Sequence, residues 1–348
     1  MATETVIKKE TKNKISVDYE GKLTFKERLM QKLKSSNTWI KVVINIFRFI
    51  LMLGVSYVIL FPFLSMIAGS FMSKEDVVDA TVSLIPKNFT LDIYKYIIVE
   101  NNYFSALLNT TTLSLLSALL QTLVACLIGY GLAKFKFKGN AAVFGAVIVT
   151  MVIPHRTLKL SMLKHFTQFD LFRILSLDYK GPIELLTGQT PELLDTYWPM
   201  VILSITGLAF KNGLYIFMMR QFFKGVPDEL EESAYVDGSG VFRTFFSIII
   251  PLSVPMMITI FLFSFSWQWT DNFYTTLFFI DPLDKTYLMP DIYKSVPISL
   301  QTNYAGQSLW YSVIRNTAGI LIIAPLVVVY LFCQKYLVQG IERSGLVG

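Results

Sequence analysis

Cysteine, histidine and charge are all scarce in this chain. Among 348 residues there are two cysteines, Cys126 and Cys333, and two histidines, His155 and His165. Two distant cysteines, both inside apolar runs, exclude a disulfide framework and a metal site of zinc spacing. The histidines fall at the edges of apolar runs and read as interfacial residues. No His-Glu-x-x-His, no Gly-x-Ser-x-Gly and no carboxylate pair within an apolar run occurs, so nothing here assembles hydrolytic chemistry. A phosphate-binding loop is missing as well, because Gly21-Lys22-Leu23-Thr24 lacks the first glycine and the strand–helix setting. The chain is expected to be no enzyme, to hold no metal or cofactor, and to leave ATP hydrolysis to another polypeptide. Charged residues make up 16% of it, against about 25% in soluble domains.

What is present is apolar length. Hydrophobic residues form 53% of the chain, gathered in continuous runs rather than in the alternation of a barrel strand. A helix needs roughly 20 residues to cross a hydrocarbon core. The runs predict an all-α polytopic membrane protein with six spans, at about 42–71, 107–133, 141–153, 197–219, 246–269 and 313–336. Residues 1–40 form a basic extension, 72–104 an outer segment, 105–340 the main membrane body and 341–348 a tail. The net charge of +6 does not suggest nucleic acid, because much of it lies in the basic extension. The dense basic clusters, in the extension and at Lys134, Lys136, Lys138, Arg220 and Lys224, place those ends on the cytoplasmic side, and six crossings then leave both termini inside.

One cytoplasmic segment resists explanation by burial in lipid. Pro227-Asp228-Glu229-Leu230-Glu231 reads as a helix start, with Asp228 as cap and Glu231 completing a capping box. Gly238-Ser239-Gly240 should end that helix, since glycine accepts the positive φ of a helix stop. Val241, Phe242, Phe245 and Phe246 lead into the fifth span, where Pro251 and Pro255 each remove a backbone donor and bend the helix. The unit over 228–240 reads as a lever on which a partner docks. The alternative is an amphipathic helix lying on the headgroups, which the carboxylates Glu229, Glu231, Glu232 and Asp237 oppose at an anionic leaflet.

Glu232-Ser233-Ala234-Tyr235-Val236-Asp237-Gly238, nine residues, then Ile248-Ile249-Ile250-Pro251 resembles the signature of permease subunits of ABC importers. That signature reads Glu-Ala-Ala, three residues, Gly, nine residues, Ile-x-Leu-Pro, and here Ser233 and Ile250 replace an alanine and the leucine. From about Val42 onward the chain is similar to the MalG-like carbohydrate permeases. Asn109-Thr110, Gly129-Tyr130-Gly131-Leu132-Ala133-Lys134-Phe135, Met151-Val152-Ile153-Pro154, Met219-Arg220-Gln221-Phe222-Phe223 and Trp269-Thr270-Asp271-Asn272 carry the likeness. The resemblance implies a type I importer permease fold in the bacterial inner membrane. It also implies a second, MalF-like permease subunit, two cytoplasmic ATP-binding subunits and an extracytoplasmic solute-binding protein. Glu229, Glu232, Ser233, Ala234, Asp237, Gly238, Phe242 and Pro251 would then couple to the ATPase, and the tail through Gln339-Gly340-Ile341 would enter the ATPase interface. Past it, Glu342-Arg343-Ser344-Gly345 departs from the family's small-residue ending.

Charges within spans are functional suspects. Arg48 and Arg315 lie near span ends and can snorkel to an interface, whereas Lys211 falls midway along the fourth span and could line an inner cavity. Phe265, Trp267, Gln268, Trp269 and Asn272 offer the mixture of aromatic faces and amides that suits a sugar path; the alternative is an aromatic belt at the headgroups. A stand-alone secondary carrier is the rival reading, disfavoured because no acidic residue sits at mid-membrane depth.

Overall fold

The computed structural model describes residues 36–170, 181–280, 286–303 and 306–345, with side chains described between Trp39 and Lys335. Residues 1–35 of the basic extension and the last three of the tail lie outside it. Among the described residues the secondary structure is helical, apart from an isolated bridge between Met72 and Phe89. The helices used below are α1 (Ser36–Gly69), α2 (Asp92–Glu100), α3 (Tyr103–Lys134), α4 (Asn140–Val152), α5 (Lys159–Thr167), α6 (Trp198–Ile205), α7 (Asn212–Lys224), α8 (Glu229–Val236), α9 (Val241–Trp269), α10 (Phe273–Phe278), α11 (Met289–Lys294) and α12 (Gln307–Gly345).

The chain divides into two compact units, residues 1–65 and 66–348. In the first, α1 up to Ser65 exposes apolar side chains on every side, among them Phe47, Met52, Val58 and Leu60. A helix apolar all round belongs in hydrocarbon. In the second unit α3 is the hub. It packs along α7 and α9 and touches α6, while α12 lies along α9 and α7 rests against α4. Close approach of α3 and α7 depends on Gly129, where a Cβ would stand 2.6 Å from Met219 Cβ. Small residues at such contacts let backbones approach where no hydrophobic force drives helices together.

Three of the six expected spans keep their form as long helices in the second unit, and α1 is the fourth such helix. The other two do not form single long helices. The run at 141–153 becomes α4, whose 13 residues reach about 20 Å at 1.5 Å per residue and fall short of a 30 Å core. Past Pro154 the chain turns by 89° into the segment His155–Thr167. The run at 197–219 is also two helices, α6 and α7, because Gly207 (φ 75°) and Lys211 (φ 69°) take left-handed backbone angles that no helix can contain. Lys211 therefore sits in a break and not midway along a helix. In α9, the i→i−5 bond from Ile250 N–H to the Phe245 carbonyl closes a π turn over Phe245–Ile249, directly ahead of Pro251, which is exposed. Such a turn absorbs the donor and space that proline disturbs.

Candidate functional site

The acidic segment folds as α8, with Gly238 at φ 81° just past its end. Ser239 N–H donates to the Ala234 carbonyl at 2.9 Å and Gly238 N–H to the Tyr235 carbonyl at 3.0 Å. This pair of bonds is a Schellman stop, which satisfies two carbonyls at the helix end. No atom lies within 4 Å of where a Gly238 Cβ would stand, so backbone angle alone makes glycine the residue of choice there.

At the other end the expected capping box does not form. Asp228 has helical angles and makes no side-chain cap; its carboxylate instead takes Lys134 Nζ at 2.5 Å. Glu231 turns inward and is buried, accepting from the Tyr130 hydroxyl at 2.8 Å. Lys134 Nζ, itself donating to the Val226 carbonyl at 2.6 Å, lies 3.5 Å from the second Glu231 oxygen. Charge pairing with the end of α3 outweighs self-capping because a buried carboxylate must be met by a donor and a cation. The hydrogen bond from Lys134 also holds the Asp228 carboxyl below the ordinary carboxylate range. The Tyr130 ring stands among Phe135, Phe223 and Phe245, at 5.4, 5.5 and 4.7 Å between centroids. Through Tyr130 and Lys134, α8 is tied to α3, α7 and α9 at once. Neither residue stood among the expected coupling positions, although both lie in the Gly129–Phe135 stretch that carried part of the family likeness.

Apart from Ala234, the remaining expected residues of the segment are exposed. Glu229, Glu232, Ser233, Asp237 and Gly238 are exposed, Ala234 is buried, and Val236 and Phe242 are 88% and 81% exposed. The exposed face thus mixes carboxylates with two large bare apolar groups.

The second group of expected residues separates. Phe265 and Trp269 are buried between α9 and α12, with Trp269 Nε1 donating to the Ile322 carbonyl at 2.9 Å. Asn272 is exposed at the N-terminal edge of α10. Trp267 and Gln268 border a small polar recess with Gln121, Phe210, Ser264, Asp271 and Tyr274. Gln121 joins three helices there, its amide donating to Ser204 Oγ at 3.3 Å and accepting from Ser264 Oγ at 2.8 Å. Burial holds the Asp271 carboxyl above its ordinary range, while its oxygens receive the Phe273 and Thr275 N–H groups at the start of α10.

The comparisons accord with this architecture. Residues 30–343 match the family described as binding-protein-dependent transport system inner membrane component. The chain is similar to a polygalacturonan/rhamnogalacturonan transport system permease protein of Bacillus subtilis, 26% identical over 301 residues that cover 85% of this chain and 94% of that one. It is 26% identical over 297 residues to an arabinooligosaccharides transport system permease protein of Halalkalibacterium halodurans, covering 84% and 93%. Its fold is similar to a chain of a bacterial ABC transporter that imports the acidic polysaccharide alginate, at a TM-score of 0.62 and 22% identity over 87% of this chain and 98% of that one. With its broken spans, its Schellman-stopped acidic helix and a family match over nearly its whole length, the chain belongs to the inner-membrane components of binding-protein-dependent transport systems.

Proposed function

We propose that this chain is one of two permease subunits of a heteromeric importer for a saccharide, driven by two cytoplasmic ATP-binding subunits and supplied by an extracytoplasmic binding protein. The exposed face of α8 carries the reading. Its acidic and apolar side chains are free to enter a groove, while its buried side is anchored by Tyr130 and Lys134 to α3. Movement of a docked ATPase would therefore reach three core helices together. The cluster of Lys134, Lys136, Lys138, Arg220 and Lys224 near α8 favours the cytoplasmic face for that end, and with it cytoplasmic termini. Relatives named for polygalacturonan, rhamnogalacturonan and arabinooligosaccharides support a saccharide cargo.

Glu229, Glu232, Asp237, Gly238 and Phe242 form the contact in this reading. Ser233, Ala234 and Pro251 set the shape of the segment. Lys211, Trp267 and Gln268 are retained for the solute path. Phe265 and Trp269 are assigned to packing, and Asn272 to the rim.

Co-purification tests the assembly. The ATP-hydrolysing subunit should be captured with the native chain and lost when Glu232→Ala and Gly238→Leu are combined. In proteoliposomes, Gly238→Leu alone should lower transport and solute-stimulated ATPase together and leave solute binding to the binding protein unchanged. Full coupling in that variant would remove α8 from the mechanism.

A further inference from the structure

The two broken spans meet at one cavity. Its walls are residues 150–155, from the end of α4 through Pro154, and residues 207–211, 213 and 214, from the break through the first turn of α7; its volume is about 320 Å³. That is at the lower end of the roughly 300–1,000 Å³ typical of small-ligand sites. Irregular backbone at membrane depth is tolerated where it lines a cavity, and paired breaks mark solute sites in transporters. Depth follows from length. α4 and α7 have 13 residues each, so both breaks lie about 20 Å from the basic ends of these helices, well inside a hydrocarbon core and beyond the headgroups at that face.

One cation occupies this place. Lys211 Nζ stands 4.8 Å from the Phe210 ring centroid and 4.9 Å from that of Trp267. No carboxylate lines the cavity, and among the described residues no ion pair reaches Lys211. The aromatic faces compensate an ammonium only in part. His155, held through Nδ1 by the Tyr274 hydroxyl at 2.6 Å, is on the same wall, with its ring against Phe210 at 5.2 Å. The first turn of α7 opens on the cavity as well, so the positive end of that helix adds to the field.

Resting on the importer reading above, we infer that this cavity is a solute subsite selecting a carboxylate-bearing saccharide, with Lys211 as the counter-charge and Phe210 as the stacking face. A neutral sugar would leave the ammonium desolvated without a partner, whereas a uronate supplies the missing charge. Its ring would present a C–H face to Phe210.

The test is uptake by the full importer, reconstituted with its partner subunits and ATP, using trigalacturonate and arabinotriose as probes. Trigalacturonate should enter in an ATP-dependent manner and arabinotriose should compete poorly. Lys211→Asn, whose side chain suits the left-handed angle, should reduce trigalacturonate uptake at least tenfold, chiefly through KM, and Lys211→Arg should keep most of it. Undiminished trigalacturonate uptake by Lys211→Asn, or native preference for arabinotriose, overturns the acidic subsite and leaves the importer standing. Should Lys211→Asn fail to assemble, competition between the two probes on the native complex decides alone. ATP-dependent entry of neither probe into an assembled, ATP-hydrolysing complex counts against the saccharide reading itself, and with it the subsite.

Discussion

At the scale of the residue, Glu231 shows how a side chain's partner changes its meaning. By spacing it completes a capping box; in the fold it is a buried carboxylate held by the Tyr130 hydroxyl and beside Lys134. Hydrogen bonds to a charged group contribute about 1.5–3 kcal/mol. Tyr130→Phe should therefore destabilise the protein by about 1.5–3 kcal/mol, read as a lowered Tm in detergent, and loosen α8 as seen by amide exchange. Asp228 is the exposed member of the same group, and its loss should matter less. Because Lys134 depresses its carboxyl, the pair is intact above the ordinary aspartate range and is lost only as pH falls through that depressed value. The protection of the α8 amides, relative to their intrinsic exchange at each pH, should accordingly stay unchanged on acidification until the pH drops below that range.

At the scale of the element, two glycines only two residues apart on α3 have opposite consequences. A Cβ at Gly129 would meet Met219 Cβ at 2.6 Å and Arg220 N at 3.0 Å, whereas one at Gly131 would meet nothing within 4 Å. Overpacking against backbone costs about 1–3 kcal/mol. Gly129→Ala should reduce the yield and Tm of the purified importer, while Gly131→Ala should leave both unchanged or slightly raised, since alanine is the better helix former. Breaks follow a different logic. Hydropathy over a long window saw one span at 197–219, because Lys211 is a single charge among apolar neighbours. Left-handed angles at Gly207 and Lys211 leave no trace in an average. Pro154 was the visible signal for the other break, since proline ends a helix at the preceding residue.

At the scale of the whole molecule, the core is held by polar as well as apolar contacts. Gln121 links α3 to Ser204 on α6 and Ser264 on α9, and such bonds between membrane helices average about 0.6 kcal/mol and reach about 1.7. Gln121→Leu should lower Tm in detergent by an amount within the sum of two such bonds, while capture of the ATP-binding subunit stays intact because α8 is untouched.

The sequence by itself determined the apolar runs, the sided basic clusters and the glycine-stopped acidic helix, because hydropathy, charge and backbone freedom are local properties. It also carried the family signature, whose spacing survives the Ser233 and Ile250 replacements. Only the tertiary structure decided that Tyr130 and Lys134 anchor α8, that Phe265 and Trp269 pack while Trp267 stays open, and that two breaks far apart in sequence share one cavity around Lys211. Those outcomes depend on which helices lie side by side, and burial, ion pairing and cavity shape are properties of neighbours rather than of the chain.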